Sequence, residues 1–296
     1  MGRVSQSVDR VEVTFDEPNL VANAGLVLVA GVLRRLDLEK VVNRMVRLSG
    51  RVGGSRPGRK VLTLVCSIIV GGSHIDHADV LRSGGTSRVL PFRVMAPSTL
   101  GTFLRSFTFG HVRQLEAVVG EALRRAWAAG AGPGSGRLVI DVDSTICEVE
   151  GKQKQGAAYG YTKVLGYHPL LATRSDSGEV LHARMRKGSA NTARGARRFL
   201  DELIARVRRG GAAGEIVVRV DSGFWSKDTI ATLRRLDVRY TMAVRTGAKG
   251  VAAAIAGIDE GAWVDIDYTP DGHAQVAETI YNQHRLIVRR TRMDRP

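Results

Sequence analysis

Two aspartates, Asp143 and Asp221, each close a run of strand-forming residues. The first run reads Leu138-Val139-Ile140-Asp141-Val142-Asp143-Ser144-Thr145, and the second Ile216-Val217-Val218-Arg219-Val220-Asp221-Ser222-Gly223. A carboxylate carried into apolar surroundings is costly unless it is paired, hydrogen-bonded or bound to a metal. Two of them delivered by neighbouring strands make an all-oxygen site that holds divalent metal against a phosphodiester. Two divalent metals a few ångströms apart activate a water or a 3′ hydroxyl on one side and stabilise the leaving oxygen on the other. Such chemistry needs no protein nucleophile, and the chain offers no convincing Ser-His or Cys-His set. The alternative for either aspartate alone is a strand-end cap or an ion pair with an arginine. The metal reading gains from the two together. Asp141 shares a strand face with Asp143 by the period of two, so it competes for the same role.

The elements around these acids follow from pattern. Ala129-Gly130-Ala131-Gly132-Pro133-Gly134-Ser135-Gly136 is a breaker stretch and the expected domain boundary. Before it, apolar residues recur at helical spacing over Leu26 to Val46, Val61 to Val70, Leu100 to Phe107 and Val112 to Trp127. Ser98 is expected to cap a helix. After the breaker, a strand to Asp143 precedes a polar stretch, Glu148 to Thr162. Two apolar segments, Tyr167 to Thr173 and Glu179 to Met185, are joined by Ser175-Asp176-Ser177-Gly178 and read as a hairpin. A basic helix from about Thr192 to Arg209, the strand to Asp221, a helix near Lys227 to Leu236 and a strand at Arg239 to Val244 follow. Past Gly250, Trp263 to Tyr268, Val276 to Tyr281 and Leu286 to Arg290 read as a meander.

The fold expectation is therefore α+β or α/β in three parts. Residues 1–136 form an all-helical, basic, DNA-binding domain with its linker. Residues 137–250 form an RNase-H-like, retroviral-integrase-like mixed sheet in the order β-β-β-α-β-α-β. Residues 251–296 begin a partial β insertion. In that arrangement the first and fourth strands are central neighbours, which brings Asp143 beside Asp221.

Charge points the same way. The chain has 296 residues and a net charge of +15, of which +8 falls up to Gly136 and +7 after it. A basic balance spread over both halves fits a polyanionic partner, most simply DNA. Candidate phosphate contacts are Arg51, Arg56, Arg59 and Lys60 in the loop from Arg44 to Lys60, which carries six Lys/Arg and no acid, and Arg184, Arg186, Lys187, Arg194 and Arg197 after the hairpin. The residues leave open whether the helical part is a helix-turn-helix. Two cysteines, Cys66 and Cys147, give no disulfide framework and suit a reducing compartment. The acids Asp9, Glu12, Asp16 and Glu17 break any secretory-signal pattern, and the apolar runs are too short to span a membrane, so a cytoplasmic protein is expected. His74, Asp76, His77 and Asp79 imitate a metal cluster, but a solvated helix end is favoured. Trp225 is read as a core aromatic before a base-stacking one.

Asp143-Ser144-Thr145, Tyr159-Gly160-Tyr161, Gly166-Tyr167-His168-Pro169-Leu170, Arg186-Lys187-Gly188-Ser189-Ala190-Asn191 and Val220-Asp221-Ser222-Gly223-Phe224 together resemble the DDE transposases of bacterial insertion sequences. The resemblance is to the transposase DDE domain group 1 kind, the insertion-sequence thirteen-eighty group. It covers roughly residues 15 to 290 and is looser through Ile75-Asp76-His77-Ala78-Asp79 and Pro97-Ser98-Thr99-Leu100. It implies a trio of two Asp and one Glu holding two magnesium ions, with Asp143 and Asp221 as the first two. Asp-small-Thr matches at Asp143, which leaves Asp141 a structural acid. It also implies DNA partners, element ends and target, and a homodimer on DNA. The third acid of the family lies on a helix after the β insertion. Asp228, Asp259, Glu260, Asp265, Asp267, Asp271 and Glu278 sit in other elements, so the chain to Pro296 is expected to be truncated or interrupted.

Two rivals remain. Asp141-Val142-Asp143-Ser144-Thr145 also resembles the first motif of haloacid-dehalogenase-type phosphatases, with Asp141 as nucleophile and Asp143 as general acid. The long basic N-terminal half and the following hairpin oppose it. The second rival is a DNA-binding transposase remnant without catalysis.

Overall fold

The computed structural model describes residues 20–151, 153–268 and 270–293. The N-terminal acids Asp9, Glu12, Asp16 and Glu17 lie outside the described residues.

The first part is helical: α1 (Leu26–Arg35), α2 (Leu38–Met45), α3 (Pro57–Ile69), α4 (Pro97–Arg105) and α5 (Phe109–Ala126). The periodic run from Leu26 to Val46 is two helices, because Asp37 adopts φ 53 and ψ 41 between them. That left-handed conformation cannot continue a right-handed helix, and Asp is one of the few side chains that tolerates it. Ser98 lies within the first turn of α4 and does not cap it. Pro97 opens the helix after an extended Ala96, using a ring whose fixed φ already suits the first helical position. Residues 46–56 separate α2 from α3, a longer connection than the three or four residues of a helix-turn-helix. Leu26, Leu33, Leu62, Cys66, Leu81 and Phe92 form one core, and Val41, Val42, Val46, Leu48, Phe103 and Val118 a second. Cys66 and Cys147 are both free.

The second part is β1 (Leu138–Ser144), β2 (Cys147–Glu148), β3 (Ala158–Tyr159), β4 (Leu165–Tyr167), β5 (Leu170–Arg174), β6 (Val180–Arg184), α6 (Ala196–Gly210), β7 (Ile216–Val220), α7 (Lys227–Arg235) and β8 (Arg239–Met242). Five strands form one mixed sheet in the order β6-β5-β1-β7-β8. β5 runs antiparallel to β1 and β6, whereas β7 is parallel to both β1 and β8. The first and fourth strands of this sheet are therefore neighbours, as the element order predicted.

The pleat sorts the side chains. Leu138, Ile140 and Val142 of β1 and Ile216, Val218 and Val220 of β7 are buried against Phe199, Leu200, Leu203, Ile204 and Val207 of α6. Each such side chain contributes about 1.5–3 kcal/mol on burial. The alternate set, Val139, Asp141 and Asp143, and Val217 and Arg219, faces the other way and is only partly covered or exposed. The acids thus occupy the sheet face away from α6.

The polar stretch Glu148 to Thr162 contributes to a second small sheet, β2-β4-β3. The segment Tyr167 to Thr173 is split at His168-Pro169 between β4 and β5. The third part is α8 (Val251–Ala256), which the pattern did not show, and the expected meander, β9 (Val264–Ile266), β10 (Gly272–Tyr281) and β11 (His284–Met293), in the order β11-β10-β9.

Candidate active site

The β1–β7 register runs from Leu138 opposite Ile216 to Val142 opposite Val220. Asp143 and Asp221 are the next residues on these two strands, whose axes lie about 4.8 Å apart in any sheet. Both aspartates are exposed. Asp143 Oδ1 accepts from the Ser144 main-chain N–H at 2.6 Å, and Asp221 Oδ1 accepts from the Gly223 N–H at 3.0 Å. The latter bond caps the short 3-10 turn Ser222–Phe224. Among the described residues neither carboxylate has an ion-pair partner, and the second oxygen of each accepts no hydrogen bond from them.

Asp141 has a different fate. It sits opposite Arg219 in the β1–β7 register, and the guanidinium grips both its oxygens, with Nη2 at 2.7 Å from Oδ2. Arg219 also donates to Ser175 Oγ at 2.8 Å. Hydrogen bonding from Arg219 holds the Asp141 carboxyl below its ordinary value. Asp141 is therefore neutralised in place, and the phosphatase reading, which needs it as a nucleophile, loses its central group. The elements after β1 are a small sheet and a hairpin, not the helix that reading requires.

The candidate DNA-contacting cations divide into two sets. Arg51, Arg56, Lys187, Arg194 and Arg197 are exposed and make no side-chain hydrogen bond or ion pair among the described residues. The others have protein partners. Arg59 pairs with Glu39 at 3.0 Å. Lys60 is buried, donates to Gly53 O at 2.5 Å and to Ser55 O, and lies over the Phe103 ring; burial lowers its pKa. Arg184 bonds to Glu116 at 3.0 Å and pairs with Glu202. Arg186 donates Nε to His168 O at 2.8 Å and Nη1 to Asn191 O at 3.0 Å, Thr192 O at 3.1 Å and Arg194 O at 2.7 Å. Burial, helped by the Arg194 charge, brings its pKa down to about 10.

Other chemistry-bearing residues are accounted for. His77 Nδ1 accepts from the Ser73 N–H at 3.1 Å, His74 bonds to the Ser73 hydroxyl at 2.9 Å, and Asp79 pairs with Arg82. Among the described residues no three His, Cys, Asp or Glu side chains converge to hold a metal. Of the later acids, Glu260 pairs with Arg290, Glu278 with Arg285 and Asp265 with His273. Trp225 stacks on Tyr281, with ring centres 5.9 Å apart. Among the described residues no helix is long and apolar enough to cross a membrane.

Sequence reasoning missed Thr192. Its hydroxyl lies 3.4 Å from that of Ser144, and its Cγ2 and Cβ would stand 2.9 and 3.0 Å from a β-carbon on Gly223. A side chain at position 223 has no room, which explains the glycine after Asp221-Ser222. Arg186 to Asn191 stood out as a motif, but nothing in the sequence revealed that it reaches the acids.

The family described as transposase DDE domain group 1 matches residues 4–293. No curated protein sequence matches the chain. Among solved structures, a piggyBac transposase synaptic complex with hairpin DNA is 14% identical, with a TM-score of 0.41, covering 86% of this chain and 58% of that one. A Drosophila P element transposase strand transfer complex is 10% identical, with a TM-score of 0.32 and coverage of 74% and 48%. A Mos1 transposase paired-end complex with left transposon end is 9% identical, with a TM-score of 0.26 and coverage of 61% and 57%. These likenesses are distant, and the chain spans about half the length of each.

Proposed function

The chain belongs to the transposase DDE domain group 1 family, and from that premise we propose that it binds the ends of an insertion sequence, as a dimer on DNA, and cleaves and transfers strands through Asp143 and Asp221. One observation carries the reading: Asp143 and Asp221, exposed and without ion-pair partners among the described residues, are the residues that follow the last β1–β7 pair, while the neighbouring Asp141 is neutralised.

The donor set suits magnesium, with manganese as a substitute. It is all oxygen, and magnesium is commonly held through one or two carboxylates, waters and the substrate's own phosphate. When bound, two such ions supply an activated water or 3′ hydroxyl and stabilise the leaving oxygen. The protein's part is to aim and to attract. The Ser144 and Gly223 N–H groups fix one oxygen of each aspartate and leave the other to face a ligand. Arg219 removes the repulsion that a third carboxylate at Asp141 would add. Lys187 and Arg194, in the β6–α6 connection that also carries Thr192, would draw the phosphate backbone, and Arg51, Arg56 and Arg197 would extend that attraction. The helical part then serves as a DNA-binding domain and the mixed sheet as an RNase-H-like catalytic one.

A second reading is a DNA-binding transposase remnant without catalysis. The absence of a third convergent carboxylate among the described residues favours it. A strand-cleavage assay on duplexes bearing element ends, with and without Mg2+ or Mn2+, separates the two. Metal-dependent nicking that Asp143→Asn or Asp221→Asn abolishes supports catalysis. Tight binding with no nicking at any metal concentration selects the second reading. Turnover of a small phosphate ester that Asp141→Asn abolishes would overturn both.

A further inference from the structure

Arg186 is the most heavily bonded arginine near the acids, and none of its bonds goes to a side chain. Four main-chain carbonyls receive its Nε and Nη1, those of His168, Asn191, Thr192 and Arg194. His168, fully buried, grips the same turn from a second side, its Nδ1 donating to Ala190 O at 2.6 Å. The guanidinium is half-buried, with Nε and Nη1 committed to the turn and a buried Nη2 that has no hydrogen-bond partner, so reaching a phosphate would require the turn to move.

The 190–194 turn carries Thr192, whose two neighbours are informative. Its hydroxyl meets Ser144 at 3.4 Å, and its methyl fills the space beside Gly223. Ser144 and Gly223 are the two residues whose N–H groups hold Asp143 and Asp221. One side chain therefore touches the anchor of each carboxylate on both strands. A shift of the turn by a few tenths of an ångström would pass to both aspartates, and carboxylates sharing a cation tolerate little change in spacing.

We propose that Arg186 is a positioning residue for the Asp143–Asp221 pair, acting through the 190–194 turn and Thr192, and that it does not contact DNA phosphate. The inference rests on the reading of these aspartates as the cation-holding site.

The test uses the full chain without DNA and then with it. Arg186→Lys keeps the charge but cannot serve four carbonyls. Thr192→Val keeps the shape but removes the contact with Ser144. Three quantities are measured: Mn2+ affinity by electron paramagnetic resonance, amide hydrogen exchange at 143–145 and 221–224, and the salt dependence of duplex binding. Arg186→Lys is expected to weaken Mn2+ binding by about tenfold or more, the usual cost of losing an outer hydrogen-bond partner of a metal ligand. Exchange at both strand ends should quicken, and the salt slope should not change. Thr192→Val should show the same pattern more weakly, mainly at 143–145, without lowering the melting temperature, which separates positioning from general unfolding. If exchange and Mn2+ affinity are unchanged in Arg186→Lys and in Arg186→Ala, and the alanine variant lowers the salt slope by about one unit, Arg186 is a phosphate contact and the proposal falls. If the parent chain binds no Mn2+ but both variants quicken exchange at the two strand ends, the positioning role stands and the metal reading fails. Unchanged exchange overturns the positioning role whatever the metal does.

Discussion

The seam between α5, β6 and α6 and the tip of the β1–β7 pair treat charge in opposite ways. At the seam, arginines and glutamates answer one another. Arg113 bonds to Glu202 at 3.1 Å and pairs with Glu116, and Arg184 bonds to Glu116 at 3.0 Å and pairs with Glu202. Arg206 donates to the Glu116 carbonyl at 3.0 Å. At the tip, Asp143 and Asp221 hold only main-chain N–H groups, and the lysine and arginine nearest in sequence to the Arg186 turn, Lys187 and Arg194, have no acidic partner among the described residues. Exposed like-charged carboxylates side by side repel, and folding alone would not select them. The seam uses its charges to join the helical part to the sheet, whereas the tip leaves its two carboxylates without an ion-pair partner among the described residues.

The comparison breaks most sharply at the acids. Asp143→Asn or Asp221→Asn should reduce divalent-ion affinity by more than the roughly 10–100-fold that loss of an outer hydrogen-bond partner costs. Melting temperature should hold or rise, because a repulsion disappears. Asp141→Asn should do the reverse, leaving ion affinity nearly intact while unfolding comes earlier, since Arg219 loses its two-pronged partner. Isothermal titration with Mn2+ beside thermal unfolding reads both. Equal ion affinity in all three variants would dissolve the distinction between tip and strand interior.

At the seam the expected effect is on stability. Glu116→Gln leaves mostly covered Arg113 and Arg184 guanidiniums without a full counter-charge, at a cost of about 1.5–3 kcal/mol, read as a lower urea midpoint. DNA affinity should stay the same. Acid should find the seam as well. His182 is buried and stacked on Phe199 at 4.5 Å. Burial, then the charges of Arg206 and Arg184, push its pKa down to about 3. Its Nε2 lies 3.4 Å from Glu202, but a ring held neutral makes no ion pair. Burial opposes ionisation of Glu202, yet Arg198, Arg184 and Arg113 outweigh it and bring that carboxyl down to about 2. For His182 the unfolded chain binds the extra proton below about pH 6.5, so its contribution is complete above that pH and shrinks as pH falls toward 3. For Glu202 the contribution is complete above its ordinary value and is lost as pH falls toward 2. Stability should therefore decline below about pH 6.5, by at most about 1.4 kcal/mol per pH unit for one proton. In His182→Phe the decline should begin nearer the glutamate range. A variant whose profile still turns at pH 6.5 would place the titration elsewhere.

These fates were unevenly legible in the sequence. The strands of the acids, the hairpin and the adjacency of β1 and β7 follow from period-two runs and element order, which are local signals. The break at Asp37 rests on one left-handed residue, and the β2-β4-β3 sheet on strands of two or three residues closed by glycine contacts. A β-carbon on Gly188 would collide with Gly166 O, and no periodicity encodes such a contact. Residue type shows that a side chain is charged, not what it meets. Arg184 and Lys187 are close in sequence, yet one is committed to Glu116 and Glu202 while the other faces solvent.

That last contrast gives the smallest effect and the finest test. Each phosphate contact releases counterions, so removing one should reduce the slope of log affinity against log salt by about 0.9 on duplex DNA. Lys187→Ala and Arg194→Ala should each approach that value, with similar losses on unrelated duplex sequences, because backbone contacts carry no base information. Arg184→Ala and Lys60→Ala remove the same formal charge from the chain. Their side chains are held by Glu116 and Glu202, and by Gly53 O and Ser55 O, so their slopes should match the parent while their unfolding midpoints fall. If all four variants lose slope equally, net charge alone governs DNA attraction and the position of Lys187 and Arg194 in the β6–α6 connection has no consequence. If only Lys187 and Arg194 do, the DNA backbone runs along the β6–α6 connection, whose Thr192 meets Ser144 beside Asp143.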